Sequence, residues 1–142
     1  MSKPIVKIVC SILVLLVTIL AVSACAQKPE PEYAGQIAEN ILVAMNEGDY
    51  AKYSENFNED MKTALPESAF TQANTQIKAK IGDYVSKTFW KAGTESGYTV
   101  VHYKAKFTQE PESVIVKVVF QETEGKIYVA GFWFDSPKLR QN

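Results

Sequence analysis

Histidine is almost missing from this chain of 142 residues, His102 being the only one, and cysteine is nearly as scarce, with Cys10 and Cys25 both among the first 25 positions. A body so poor in imidazole and thiol offers few groups to transfer protons, attack a substrate or hold a metal. No His or carboxylate partner stands at ligand spacing around His102, so no metal or cofactor is expected. The sequence has no Gly-x-Ser-x-Gly elbow and no glycine-rich phosphate loop. Nor is there a basic excess: 15 Lys+Arg meet 16 Asp+Glu, interspersed, which leaves no electrostatic footprint for nucleic acid. Internal repeats, low-complexity tracts and Asn-x-Ser/Thr sequons are missing as well.

What is present begins with the first 25 residues. Lys3 and Lys7 precede a nearly unbroken apolar run, Ile8 to Val22, which ends in Val22-Ser23-Ala24-Cys25. A basic start, a short apolar core and small residues at a cleavage point are the plan of an export signal. The tetrapeptide resembles the lipobox of prokaryotic lipoproteins. That resemblance implies a diacylglyceryl group on the Cys25 thiol and removal of residues 1–24, which makes Cys25 the first residue of the mature protein. It also implies two or three acyl chains. At about 0.8 kcal/mol per buried methylene, that number holds a protein permanently where one chain would not. Two other readings stand beside it. One is an uncleaved anchor, because Ile8 to Ala24 approaches the roughly 20 apolar residues that span a bilayer. The other is an ordinary secretory signal cut near Ala24 or Ala26. All three export the body, and the expected location is the extracytoplasmic side of the cell membrane, lipid-anchored.

Lys3 and Lys7 leave with the signal, so the mature body carries thirteen basic against sixteen acidic side chains, a net charge of −3. With Cys10 discarded and Cys25 alkylated, no internal disulfide forms, and the core alone must hold the fold. Residues 25–32 read as the lipidated cysteine and a semi-extended linker with two prolines. Residues 33–136 read as one domain and 137–142 as a polar tail.

Within the domain the period is helical from Tyr33, with Ile37, Ile41 and Met45 on one stripe and Asn46-Glu47-Gly48 as its end. Asp49 is placed to cap a short helix carrying Tyr50 and Tyr53, and Asn58 to cap another before Met61. Pro66 and Glu67 suit the first turn of a third long segment. Its buried stripe is expected to be Phe70, Ala73, Ile77 and Ile81, with Gly82 closing it. Four strands follow: about Asp83 to Lys91, Tyr98 to Gln109, Val114 to Glu122 and Lys126 to Asp135. Turns are expected at Gly93 to Gly97, Glu110-Pro111-Glu112 and Glu124-Gly125. Val101, Tyr103, Ala105 and Phe107 share a buried face, opposite His102, Lys104 and Lys106. The last strand is apolar on both faces, which reads as a central or doubly covered position. The fold class is therefore α+β: N-terminal helices packed on a curved four-stranded antiparallel sheet.

Three stretches are more specific: Ala44-Met45-Asn46-Glu47-Gly48-Asp49-Tyr50 leading to Phe57, Pro66-Glu67 before Gly82, and Val129-Ala130-Gly131-Phe132. Together they resemble a family of uncharacterised extracytoplasmic domains within the cone-shaped, cystatin-like superfamily of nuclear transport factor and ketosteroid isomerase. The resemblance transfers no catalytic residue. Enzymes of that superfamily place an acid and a tyrosine in the cone, for which Asp49, Tyr50, Tyr53, Asp83 and Tyr84 are the available types. Asp49 and Asp83 are already explained by capping and turn roles, and His102 reads as a half-exposed sheet residue. The expectation is thus a noncatalytic binding or interaction module, with Tyr53, Phe57, Tyr84 and Tyr103 as candidate pocket residues for an apolar or aromatic ligand. The alternative is a small isomerase or hydrolase using a carboxylate and a tyrosine. The resemblance also implies a homodimer through the sheet as one way to cover Trp90 or Trp133.

Overall fold

Helix α1, Glu32–Glu47, exists because Ala34, Ala38, Ile41, Leu42 and Met45 recur on one face and are all buried. Its C-terminus is Gly48 at φ 69°, whose amide bonds back to Ala44, the left-handed closure that glycine adopts without penalty. The computed structural model describes residues 27–141; the signal segment, the cleavage point and Cys25 lie outside them. Asp49 caps α2, Tyr50–Tyr53, by accepting from the Lys52 amide. Asn58 caps α3, Glu59–Ala64, by accepting from the Met61 amide. Helix α4, Glu67–Ile81, follows Pro66 and ends at Gly82. Among the described residues no helix is long and apolar enough to cross a membrane.

The strands β1 (Tyr84–Glu95), β2 (Tyr98–Phe107), β3 (Glu110–Thr123) and β4 (Lys126–Asp135) form one antiparallel sheet in the order β1-β2-β3-β4. The helices cover its inner face, where Val101, Tyr103, Ala105, Val114, Val116, Val118 and Phe120 meet α1 in the core. Each strand pair carries a bulge or register shift, and bulges bend and twist the strands that carry them.

Several expectations need correction. Strand β4 is an edge, not a central strand. Its two apolar faces arise because the pairing jumps from Val119↔Gly131 to Phe120↔Val129. Ala130 is thereby bulged out, and the inward parity switches from Val129 to Phe132. The residues Glu110-Pro111-Glu112 belong to β3, and the turn is Thr108-Gln109, tied to the end of α4 by Gln109 N–H donating to Ile81 O at 2.9 Å. Gly93 lies inside β1; the tight turn is Ser96-Gly97, both at positive φ.

On α4 the buried position is Asn74, not Ala73, which is exposed. Asn74 Nδ2 donates to Met45 O at 2.8 Å, and Lys78 Nζ donates to Asn46 O at 2.9 Å. These side chains satisfy carbonyls that the end of α1 leaves without helical partners. Both terminal segments are docked as well. The C-terminal residues turn back so that Ser136 is buried and Leu139 packs on the core. At the other end, Lys28 forms an antiparallel bridge with Ala92 on the edge of β1, and Lys28 Nζ reaches Thr94 Oγ1 at 2.8 Å. The described part of the expected linker is thus a strap held to the sheet.

Candidate functional site

The polar groups of the inner face converge where α1 and the strap cross β1 and β2. Glu39 points from α1 toward β1, where its Oε2 accepts from Tyr84 Oη at 2.8 Å and pairs with Lys87 Nζ at 3.3 Å. The Lys87 ammonium also sits 4.9 Å from the centre of the Tyr103 ring, a cation–π distance. Tyr103 Oη in turn donates to Glu30 Oε1 on the strap at 2.7 Å. Gly35, in the first turn of α1, lies under the Glu30 carboxylate: a Cβ there would be 2.8 Å from Glu30 Oε1, a contact that a small swing of the exposed side chain relieves.

Burial and the neighbouring carboxylates have one effect on both phenols. Tyr84 is pushed up, first by burial and then by Glu39 as acceptor and as charge. Tyr103 is pushed up by burial and by Glu30 in the same way. Each phenol therefore keeps its proton and serves as a fixed donor.

The other two candidate pocket residues, Tyr53 and Phe57, lie apart from this cluster in an aromatic one. Tyr53 packs at 5.0 Å from Phe57, 4.4 Å from Phe70 and 6.3 Å from Phe132. The contacts continue through Phe134 and Phe107 to Tyr84 at 5.0, 6.0 and 5.9 Å. Rings thus fill the space between the two groups, and Tyr53, Phe57, Tyr84 and Tyr103 are all buried. Burial, with Tyr50 beside it, pushes the Tyr53 phenol up to about 12.

Among the described residues, recesses also lie elsewhere. One, of about 240 Å³, is lined by Asn58, Glu59, Gln121, Thr123 and Tyr128, and Asn58 Nδ2 donates to Gln121 Oε1 across it at 3.0 Å. Another, of about 170 Å³, is lined by Lys91, Ala92, Gly93, Glu95, Val100 and His102. His102 is half-buried, and its shielded Nδ1 has no hydrogen-bond partner. Burial first, then Lys91 and Lys117, hold its pKa below the ordinary value of 6.5 against the opposing pull of Glu95, so the ring is neutral at neutral pH. Among the described residues no three His, Cys, Asp or Glu side chains are placed to hold a metal.

Asn46, unremarked in the sequence except as a helix end, has a structural task. Its Oδ1 accepts from Tyr84 N–H at 2.9 Å and its Nδ2 donates to Tyr84 O at 2.8 Å. The side chain thereby acts as a neighbouring strand for the first residue of β1. The strap was missed because nothing local in Lys28 or Glu30 announces partners more than sixty residues away.

Comparison with known proteins gives one family. The family described as "Protein of unknown function (DUF3887)" matches residues 38–130, from within α1 to the bulge of β4. No curated protein matches the chain. Solved structures that match include a designed protein of the NTF2 type. It is 18% identical, with 72% of this chain and 96% of that chain covered, at a TM-score of 0.49.

Proposed function

From the premise that this chain belongs to the DUF3887 family of proteins of unknown function, we propose that it is a lipid-anchored extracytoplasmic lipoprotein whose α+β domain is a noncatalytic binding or interaction module. The observation that carries the anchor is the placement of Val22-Ser23-Ala24-Cys25 directly after the basic and apolar leader, the order of a lipoprotein signal. Binding rather than catalysis is supported by the way the reactive types are used. Tyr84 and Tyr103 are committed to Glu39 and Glu30, and Glu39 is committed again to Lys87.

Intact-mass analysis of the protein extracted from its native membrane tests the anchor. The expected mass is that of a chain beginning at Cys25 with two or three acyl chains, and an unmodified thiol overturns it. A thermal-shift panel of hydrophobic metabolites and cell-wall fragments tests small-ligand binding, which a uniformly flat result overturns.

One observation favours the enzymatic alternative, an isomerase or hydrolase using a carboxylate and a tyrosine: the Tyr84 hydroxyl does lie on a carboxylate, Glu39. On that reading Glu39→Gln abolishes turnover of a substrate without unfolding the domain. On the binding reading it changes stability alone.

A further inference from the structure

The outer face of the sheet differs in charge from the rest of the molecule. The register places Lys91, His102, Lys117 and Trp133 opposite one another in a single row across all four strands. Lys104 and Lys106 lie further along the same face of β2. Against these four lysines the face sets Glu95 and Asp135, and both are already paired, Glu95 with Lys117 at 3.6 Å and Asp135 with Arg140 at 3.4 Å. A chain with more acidic than basic side chains thus presents a basic sheet face.

Two indoles stand among these lysines. Trp90, at the bulge of β1, is 37% exposed, and Trp133 is 54% exposed. The ammonium groups of Lys91 and Lys104 lie 4.6 and 5.1 Å from the Trp90 ring, and that of Lys117 lies 5.5 Å from the Trp133 ring. Indoles and lysines with apolar stems are side chains suited to a lipid–water boundary, where one end is apolar and the other wet.

The route of the chain adds a distance limit. Lys28 is bridged to Ala92, two residues from Trp90, on the free edge of β1. Cys25 precedes Lys28 by only three residues, which span at most about 10 Å fully extended. If Cys25 carries acyl chains, the Trp90 edge of the sheet is held within about that distance of the lipid.

We propose that the outer face of the sheet, through Trp90, Lys91 and Lys104 with Trp133 and Lys117 behind them, docks on anionic phospholipid headgroups of the membrane that holds the anchor. The inference rests on the lipoprotein reading above. Charge favours this occupant over a second copy of the chain, because two such faces in contact bring lysine row against lysine row. Anionic headgroups supply the opposite charge.

The test uses the full-length protein reconstituted in vesicles of phosphatidylcholine alone or mixed with phosphatidylglycerol, with acyl chains brominated near the headgroup as quencher. The chain has two tryptophans, so Trp133→Phe isolates Trp90 and Trp90→Phe isolates Trp133. Trp90 is expected to be quenched by the brominated lipid in the anionic vesicles. Added salt should reverse the quenching, and Lys91→Glu with Lys104→Glu should weaken it about tenfold or more. Should the double variant fold poorly, the salt reversal in the native protein decides alone. Trp90 equally open to acrylamide in both vesicle types overturns the proposal, as does a Trp90 shielded in both together with cross-linked dimers. Intact mass on the same sample separates the two claims. Acylated Cys25 with Trp90 in water removes the docking face alone, whereas anion-dependent quenching with unmodified Cys25 removes the anchor alone.

Discussion

Tyr103 on β2 donates its phenolic proton to Glu30 at 2.7 Å, joining the centre of the sheet to the segment that leads out of the domain. Tyr103 is fully buried, whereas Glu30 is exposed, so the bond fixes a solvated strap to the core.

Tyr103→Phe is therefore expected to cost about 1–2 kcal/mol, the lower end for a hydrogen bond to a charged acceptor because the Glu30 carboxylate is solvated. Glu30→Gln, which keeps an acceptor, should cost less. Urea unfolding of both single variants and the double variant gives the coupling. Strictly additive losses would mean that the strap is not held by this bond.

Asn46→Ala removes two bonds to the backbone of Tyr84 at once and leaves a part-buried N–H and C=O at the start of β1. The expected loss is about 2 kcal/mol, with faster hydrogen exchange at the Tyr84 amide. Asn46→Asp should be worse than its similar shape suggests, because it sets a carboxylate oxygen against Tyr84 O. An unchanged exchange rate at Tyr84 would refute this role.

Much of the helical half was legible because its signals are local. Gly48 and Gly82 end helices, Asp49 and Asn58 cap them, and each acts within a few residues of its place in the sequence. The alternation of β2 from Val101 to Phe107 and of β3 from Val114 to Phe120 was equally plain, whereas the start of β3 was not, because it bulges between Glu110 and Val114. In β4 the bulged Ala130 shifts the parity halfway along, and one inward stripe split by a bulge looks in sequence like two apolar faces. The site was less legible. Tyr84 and Tyr103 were visible as aromatic residues on an inward face, but their partners come from a helix and a strap 45 and 73 residues away, and such pairings leave no periodic trace.

Alkaline pH should destabilise the fold through its buried phenols. Tyr53 is raised from 10.0 to about 12, by burial first and Tyr50 second. The stabilisation linked to its proton is complete below pH 10 and is lost as pH rises from there toward 12, because the unfolded chain ionises first. The amount is about 2–3 kcal/mol for Tyr53, and Tyr84 and Tyr103 act with the same sign. Stability measured on either side of pH 10 should fall less steeply in Tyr53→Phe than in the native protein. Identical slopes would show that Tyr53 ionises as freely when folded as when unfolded.

Gly131 lies under the indole of Trp133, and a Cβ at that position would run into the six-membered ring. Gly131→Ala should displace the exposed ring into water, red-shift the Trp133 emission and cost no more than about 0.5 kcal/mol, because the indole is free to swing away. Trp133→Ala in the same chain should relieve most of the penalty. A normal emission maximum in Gly131→Ala would show that the indole does not depend on the bare backbone.

The two rims of the sheet are not alike. On β4, Asn58 N–H donates to Val129 O at 3.1 Å and Val129 N–H donates to Asn56 O at 2.7 Å, so a short clasp already occupies main-chain groups that an incoming strand would need. On β1 the strap occupies the neighbourhood of Ala92. Growth of a ribbon from copy to copy requires two available rims per subunit. With a clasp at Val129 on one rim and a strap at Ala92 on the other, the sheet leaves an incoming strand only part of either edge, which hinders the growth of such a ribbon.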